Sequence, residues 1–143
     1  MKPVGIVIAH RNDTQYISRC VASLDKQEEV KSPVIVDDAS DGKELWKLQE
    51  VARGVPIVPL PKHRGLGLAR NVGVAYLNTE WFLPLDADDW LCDDTLQLLQ
   101  EAVGNNPDAG MIYGDYFEHA NSKDTVVETR HFTRENLKQN NPT

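Results

Sequence analysis

The sequence predicts an α/β fold: a mainly parallel central sheet with helices on both faces. Three observations carry this. Short apolar runs rich in Val and Ile alternate with stretches of helical apolar spacing. The connections between them are short. Polar clusters follow the first, second and fourth apolar runs, and ligands in such sheets bind beyond the carboxyl ends of the strands.

Val4-Gly5-Ile6-Val7-Ile8-Ala9 is a continuous apolar run, as expected of a strand buried on both faces. Ile17, Cys20, Val21 and Leu24 then recur at helical spacing. Val34-Ile35-Val36 predicts a second buried strand, ending in Asp37-Asp38, and Leu45, Leu48 and Val51-Ala52 mark a second helix. Val55-Pro56-Ile57-Val58 predicts a third strand, whose prolines place it at an edge or a strand end. Leu68, Val72, Ala75 and Tyr76 mark a third helix, and Trp81 to Leu85 a fourth strand. Asp94-Thr95-Leu96-Gln97 resembles a capping box that opens a helix through about Gly104. Ala109 to Tyr113 predicts a fifth strand. Tyr116 to His119 and Thr125 to Arg130 predict a hairpin, and Thr133 opens a short helix.

With 143 residues, the chain is predicted to form one domain with a substantial core. No apolar run approaches the roughly 20 residues of a membrane span, and Met1-Lys2-Pro3 does not open a signal peptide. Cys20 and Cys92 sit in no metal-binding spacing; they read as free thiols in a reducing, cytoplasmic compartment, with a disulfide between them as the minor alternative. The net charge of −7 is uneven: residues 1–70 hold 11 Lys/Arg against 9 Asp/Glu, residues 71–143 hold 4 against 13. An acidic balance argues against nucleic acid as a partner. It leaves room for a nucleotide, which needs only a few local cations and a metal.

The sharpest motif is Leu83-Pro84-Leu85-Asp86-Ala87-Asp88-Asp89. No Lys, Arg or His lies between Glu80 and Asp94 to neutralise its three carboxylates. Carboxylates so close raise one another's pKa unless a cation is present. Mn²⁺ or Mg²⁺ prefers oxygen ligands, and Mg²⁺ typically takes one or two carboxylates plus substrate phosphates. After a buried strand, Asp-x-Asp therefore reads as a metal–diphosphate clamp, against the blander reading of chance aspartates and helix caps. Asp37-Asp38-Ala39-Ser40-Asp41-Gly42 exceeds what capping needs; a carboxylate there can accept from a nucleobase N–H or ribose hydroxyls, though Ser40 and Asp41 are good N-caps. Arg64-Gly65-Leu66-Gly67-Leu68-Ala69-Arg70-Asn71 joins a glycine pair to a helix start, where backbone N–H groups attract phosphate. A phosphatase would carry its aspartates after the first strand, and a sugar-1-phosphate nucleotidyltransferase would carry a Gly-rich, Lys-terminated loop there; both are disfavoured. The histidines read as structural or exposed rather than catalytic, with His63 the least certain, and Trp90 as a wall beside the acidic segment.

Together these segments resemble the GT-A glycosyltransferases of family two. Val4 to Asn12 is similar to the opening strand and its polar loop. Val36-Asp37-Asp38-Ala39-Ser40 is similar to Val-Asp-Asp-Gly-Ser, with Ala39 in place of Gly. Gly65 to Gly73 matches Gly-x-x-x-Ala-Arg-Asn, and Asp86-Ala87-Asp88 matches Asp-x-Asp. The resemblance implies a Rossmann-like GT-A sandwich and a UDP-sugar or related donor. It implies nucleotide contacts at Ala9, His10, Arg11, Asn12, Asp37, Asp38, Gly65, Arg70, Asp86 and Ala87, with Mn²⁺ or Mg²⁺ at Asp86 and Asp88. Asp38 would bind the base and Arg70 face the nucleotide, and the acceptor would be a glycan, lipid or protein. A nucleotide-sugar-binding module with little or no transfer is the alternative.

Such enzymes continue into an acceptor platform and a catalytic carboxylate. Thr143 comes before either, and Asp115 and Glu118 are the only weak candidates for a base. The expectation is a truncated or minimal enzyme, or a donor-binding half. It also predicts exposed apolar surface near residues 109–130 and a two-fold homodimer, since isologous contacts close on themselves. Sedimentation at micromolar concentration is expected to show concentration-dependent association; a clean 16.1 kDa monomer would contradict it.

Overall fold

The computed structural model describes residues 3–28 and 31–129. They divide between two compact units, Met1–Pro107 and Asp108–Thr143. The first alternates strand and helix four times: β1 (Val4–His10), α1 (Thr14–Asp25), β2 (Lys31–Asp37), α2 (Gly42–Val51), β3 (Ile57–Pro59), α3 (Leu66–Tyr76), β4 (Trp81–Asp86) and α4 (Thr95–Asn105). The sheet order is β3-β2-β1-β4, with every neighbouring pair parallel. The proline-flanked third strand lies at an edge, as predicted. The chain runs outward from β1 through β2 to β3, then returns to β1's other side as β4. β1 and β4 thus flank the topological switch point, where such sheets open a ligand crevice.

Strand alternation sorts the core into two layers. Ile6, Ile8, Ile35 and Leu85 pack with Ile17, Cys20, Val21 and Leu24 of α1, Leu48 of α2 and Leu96 of α4. Ala9 and Val36, pointing the other way, pack with Ala69 and Val72 of α3. The helical spacing read from the sequence in α1 and α2 is the buried face observed. In α3 it is not: Leu68 and Tyr76 are exposed, and Ala69 and Gly73 are buried. The close approach of this helix to the sheet decides the face. A Cβ at Gly73 would stand 2.3 Å from Val7 Cγ1, so only small residues fit against the strands.

Two other expectations are corrected. Residues 109–113 form no strand. Asp94 occupies the N-cap of α4 but makes no side-chain cap bond, so the capping box is not formed. The second unit contains the expected hairpin, β5 (Tyr116–Ala120) against β6 (Lys123–Val127). Its turn is tighter than expected, two residues long, with Asn121 and Ser122 both at positive φ, as primed hairpin turns require. Tyr116, Phe117 and Val126 are all exposed, in keeping with apolar surface in this region. The helix expected from Thr133 lies outside the described residues, as does His131. Among the described residues no helix is long and apolar enough to cross a membrane, and Cys20 and Cys92 are free thiols.

Ala39, just past β2, has φ 56°, a left-handed backbone that glycine adopts freely. An L-residue there costs about 1–2 kcal/mol. Glycine would give back about 0.4–1 kcal/mol through the unfolded chain's entropy. Ala39→Gly is therefore expected to stabilise the fold by up to about 1 kcal/mol, read as a raised Tm; a lowered Tm would contradict the strain.

Candidate functional site

The carboxyl ends of β1, β2 and β4 bring the sequence-predicted residues to one rim. Side-chain alternation then separates them by face. His10 and Asp37, level with each other in the sheet, share the α1–α2 face. His10 is buried, and its Nδ1 lies 2.9 Å from Asp37 Oδ1. Its Nε2 accepts the Asp13 amide at 3.3 Å, so Nδ1 is the donor to Asp37. Asp37 also accepts from Ser40 Oγ (2.5 Å) and Ser40 N (3.0 Å). Ser40 Oγ accepts from the Asn12 amide, and Asn12 Oδ1 accepts from the Asp41 amide, each at 2.8 Å. These bonds knit the loop after β1 to the loop after β2. Burial alone would raise the Asp37 pKa, but the bonds from His10 and Ser40 outweigh it and hold the carboxyl below its ordinary value. Arg11 is exposed in the same loop.

Asp38 turns to the α3 face. It is 4% exposed, and accepts from the amides of Arg64 (2.7 Å) and Gly65 (2.8 Å), with His63 Nδ1 at 2.7 Å. Burial opposes ionisation here too, and the two amides followed by His63 overcome it, leaving the pKa lowered. The Gly65 amide, expected from sequence to meet a phosphate, is committed to Asp38. Gly65 has φ 90° and opens α3, so this carboxylate pins the start of the helix that carries Arg70. The sequence signal for His63 is its place between Lys62 and Arg64, just before the glycine pair.

Asp86 has the same alternation as Asp38 and faces α3, where Arg70 Nη2 donates to its Oδ1 at 2.5 Å. Ala9 sits opposite both Val36 and Asp86, and gives a small apolar floor between them. Arg70 Nε is buried and, among the described residues, has no hydrogen-bond partner. Ala87 is buried towards α1, and Asp88 and Asp89 are exposed. Asp89 has a raised pKa: burial disfavours its charge, and Asp88 and Asp86 repel it. Burial, followed by the fields of Asp89, Asp88 and Asp86, pushes the Cys20 thiol up to about 12, so it stays protonated and unreactive. Among the described residues no three His, Cys, Asp or Glu side chains form a cage for a metal ion. The donor set suits an ion that completes its shell with substrate oxygens: oxygen ligands only, in mutual repulsion. Of the two base candidates, Asp115 accepts from the backbone and hydroxyl of Thr129, and Glu118 is exposed on β5.

The family model for Glycosyl transferase family 2 matches residues 5–142. Chondroitin synthase of Escherichia coli is 32% identical over 113 residues, covering 77% of this chain and 16% of that protein. Staphylococcus aureus TarS, solved with UDP-GlcNAc, superposes with a TM-score of 0.66 at 25% identity, covering 75% of this chain and 32% of that one. A mannosyltransferase from Pyrobaculum calidifontis, solved with GDP-Man and Mn²⁺, shares the fold at 21% identity, with a TM-score of 0.63 over 70% of this chain and 32% of its own. The chain spans less than half the length of each of these proteins. The parallel sheet, the acidic segment beyond its fourth strand and the match along nearly its whole length place this chain in glycosyl transferase family 2.

Proposed function

We propose that this chain binds the nucleotide-diphosphate part of a sugar donor, a UDP-sugar first among candidates, and contributes that site to metal-dependent transfer of the sugar to an acceptor hydroxyl. The carrying observation is the pair Asp86–Arg70 at the switch point, flanked by Asp88 and by Arg70's buried, unpartnered Nε–H. A buried donor without an acceptor costs about 1–3 kcal/mol, which a nucleoside oxygen would relieve. The likeness to TarS, solved with UDP-GlcNAc, supports UDP.

In this reading Asp38 and Arg70 bind the nucleoside, Asp38 also fixing the loop that starts α3. His10, Asp37 and Asn12 hold the two rim loops in register behind them. Ala9 and Ala87 leave room for close approach. Asp86 and Asp88 would hold Mn²⁺ or Mg²⁺, which, when bound, offsets the charge that develops on the departing nucleoside diphosphate. Three carboxylates, Asp86, Asp88 and Asp89, beside the single Arg70 guanidinium support a cation here.

Two outcomes are expected. Asp88→Ala, or EDTA, should weaken UDP binding by about tenfold or more while leaving uridine unaffected. Arg70→Ala should weaken both ligands by about 1.5–3 kcal/mol. Titration calorimetry separates the two; equal losses of UDP and uridine in Asp88→Ala would sink the metal clamp. The second concerns charge without ligand. A carboxyl whose pKa is raised by folding contributes stability below its unfolded pKa and loses it as pH rises through the folded value. Asp89→Asn is therefore expected to raise the metal-free Tm at neutral pH, with the gain vanishing in acid. A gain that persists in acid, or none at neutral pH, would contradict the repulsion.

A further inference from the structure

The segment after β4 carries the acidic cluster but no regular structure until α4 begins at Thr95. Its buried amides and carbonyls need partners from elsewhere. They find them on α1 and the residues just past its end. Ser23 Oγ accepts from the Leu91 amide at 3.1 Å while donating to Cys20 O at 2.6 Å. One turn on, Gln27 is 3% exposed and uses both ends of its carboxamide. Its Oε1 accepts from the Leu96 amide at 3.0 Å, and its Nε2 donates to Cys92 O at 2.8 Å. Leu96 is the second residue of α4, where a helix leaves N–H groups unpaired. Asp94 makes no cap bond, so Gln27, two residues past the end of α1, supplies the cap. Helix α1 also reaches the start of the segment, where Cys20 Sγ donates to Asp86 O at 3.6 Å. The Arg19 guanidinium lies 3.3 Å from the centre of the Trp90 ring. The grip begins at Asp86 and ends at Leu96, with Asp88 and Asp89 between.

We propose that Ser23 and Gln27 are positioning residues. They anchor the chain at Leu91, Cys92 and Leu96, and so hold the Asp86–Asp89 carboxylates in the geometry that receives the donor's diphosphate. This rests on the donor-site reading above. The physical reason is preorganisation. Carboxylates crowded by repulsion drift apart unless the backbone beneath them is fixed, and a site that must be ordered at the moment of binding loses affinity. Buried polar side chains would otherwise be a desolvation cost, and here Ser23 and Gln27 are matched to backbone groups of Leu91, Cys92 and Leu96.

The test is the ratio of UDP to uridine affinity, measured by calorimetry with Mn²⁺ present. Uridine reports the Asp38–Arg70 end alone; UDP also reports the acidic segment. Gln27→Met keeps the side chain's length and packing and removes both bonds. It is expected to weaken UDP by about tenfold and leave uridine unchanged. Ser23→Ala is expected to shift the ratio the same way, by less, and serves if the Met variant does not fold. A purely structural role would lower Tm without moving the ratio. Either variant, folded by circular dichroism and with the parental ratio, would overturn the proposal. A parent that binds UDP no better than uridine would overturn the donor-site reading first, and this proposal with it.

Discussion

Two adjacent buried carboxylates at the end of β2 hold this structure together. Asp37 is 1% exposed and Asp38 4%, and an ion taken so far out of water costs several kcal/mol unless donors surround it. The pleat sends them to opposite faces of the sheet. Asp37 collects His10 and Ser40, which ties β1's loop to β2's loop on the α1–α2 side. Asp38 collects the amides of Arg64 and Gly65 with His63, which fixes the start of α3 on the other side. One dipeptide thereby sets the positions of both helical layers relative to the rim where the strands end.

The acidic segment after β4 is the opposite case. Asp86 has one strong partner, Arg70, and among the described residues the backbone offers Asp88 and Asp89 no such ring of amides. Burial, followed by the fields of Asp88 and Asp86, raises the Asp89 pKa. Asp37 and Asp38, with their donors in place, anchor the scaffold, Asp38 also lying on the side of the proposed nucleoside; Asp88 and Asp89 lack such donors and carry the charge that the proposed cation would offset. That difference in partners distinguishes the two acidic pairs. It places the open charge at the topological switch point of a family 2 glycosyl transferase sheet.

Much of this was legible in the sequence. Runs such as Val4 to Ala9 and Val34 to Val36 suit strands buried on both faces, and their alternation with helical spacing over short connections pointed to a parallel sheet. The polar residues after those runs marked the rim. What the sequence could not show is which face each rim residue takes: Asp37 and Asp38 look alike in the chain, and only strand phase gives one to His10 and the other to His63. Ser23 and Gln27 were invisible for a related reason, since a polar residue within or just past an apolar helix carries no periodic signal and their partners are backbone atoms nearly seventy residues away. In α3 the large residues Leu68 and Tyr76 drew the apolar face away from the small residues that pack. The strand expected at 109–113 rested on an apolar run too short to distinguish a strand from an extended loop.

The central claim is that charge left uncompensated beyond β4 receives the metal-bound diphosphate of a nucleotide-sugar. A crystal structure of the chain with UDP and Mn²⁺, with the metal located by its anomalous scattering, tests it most directly. One manganese is expected on Asp88 and Asp86 in contact with the diphosphate, with the nucleoside against Arg70. UDP bound away from this rim, or manganese on other carboxylates with the acidic segment empty, would contradict it.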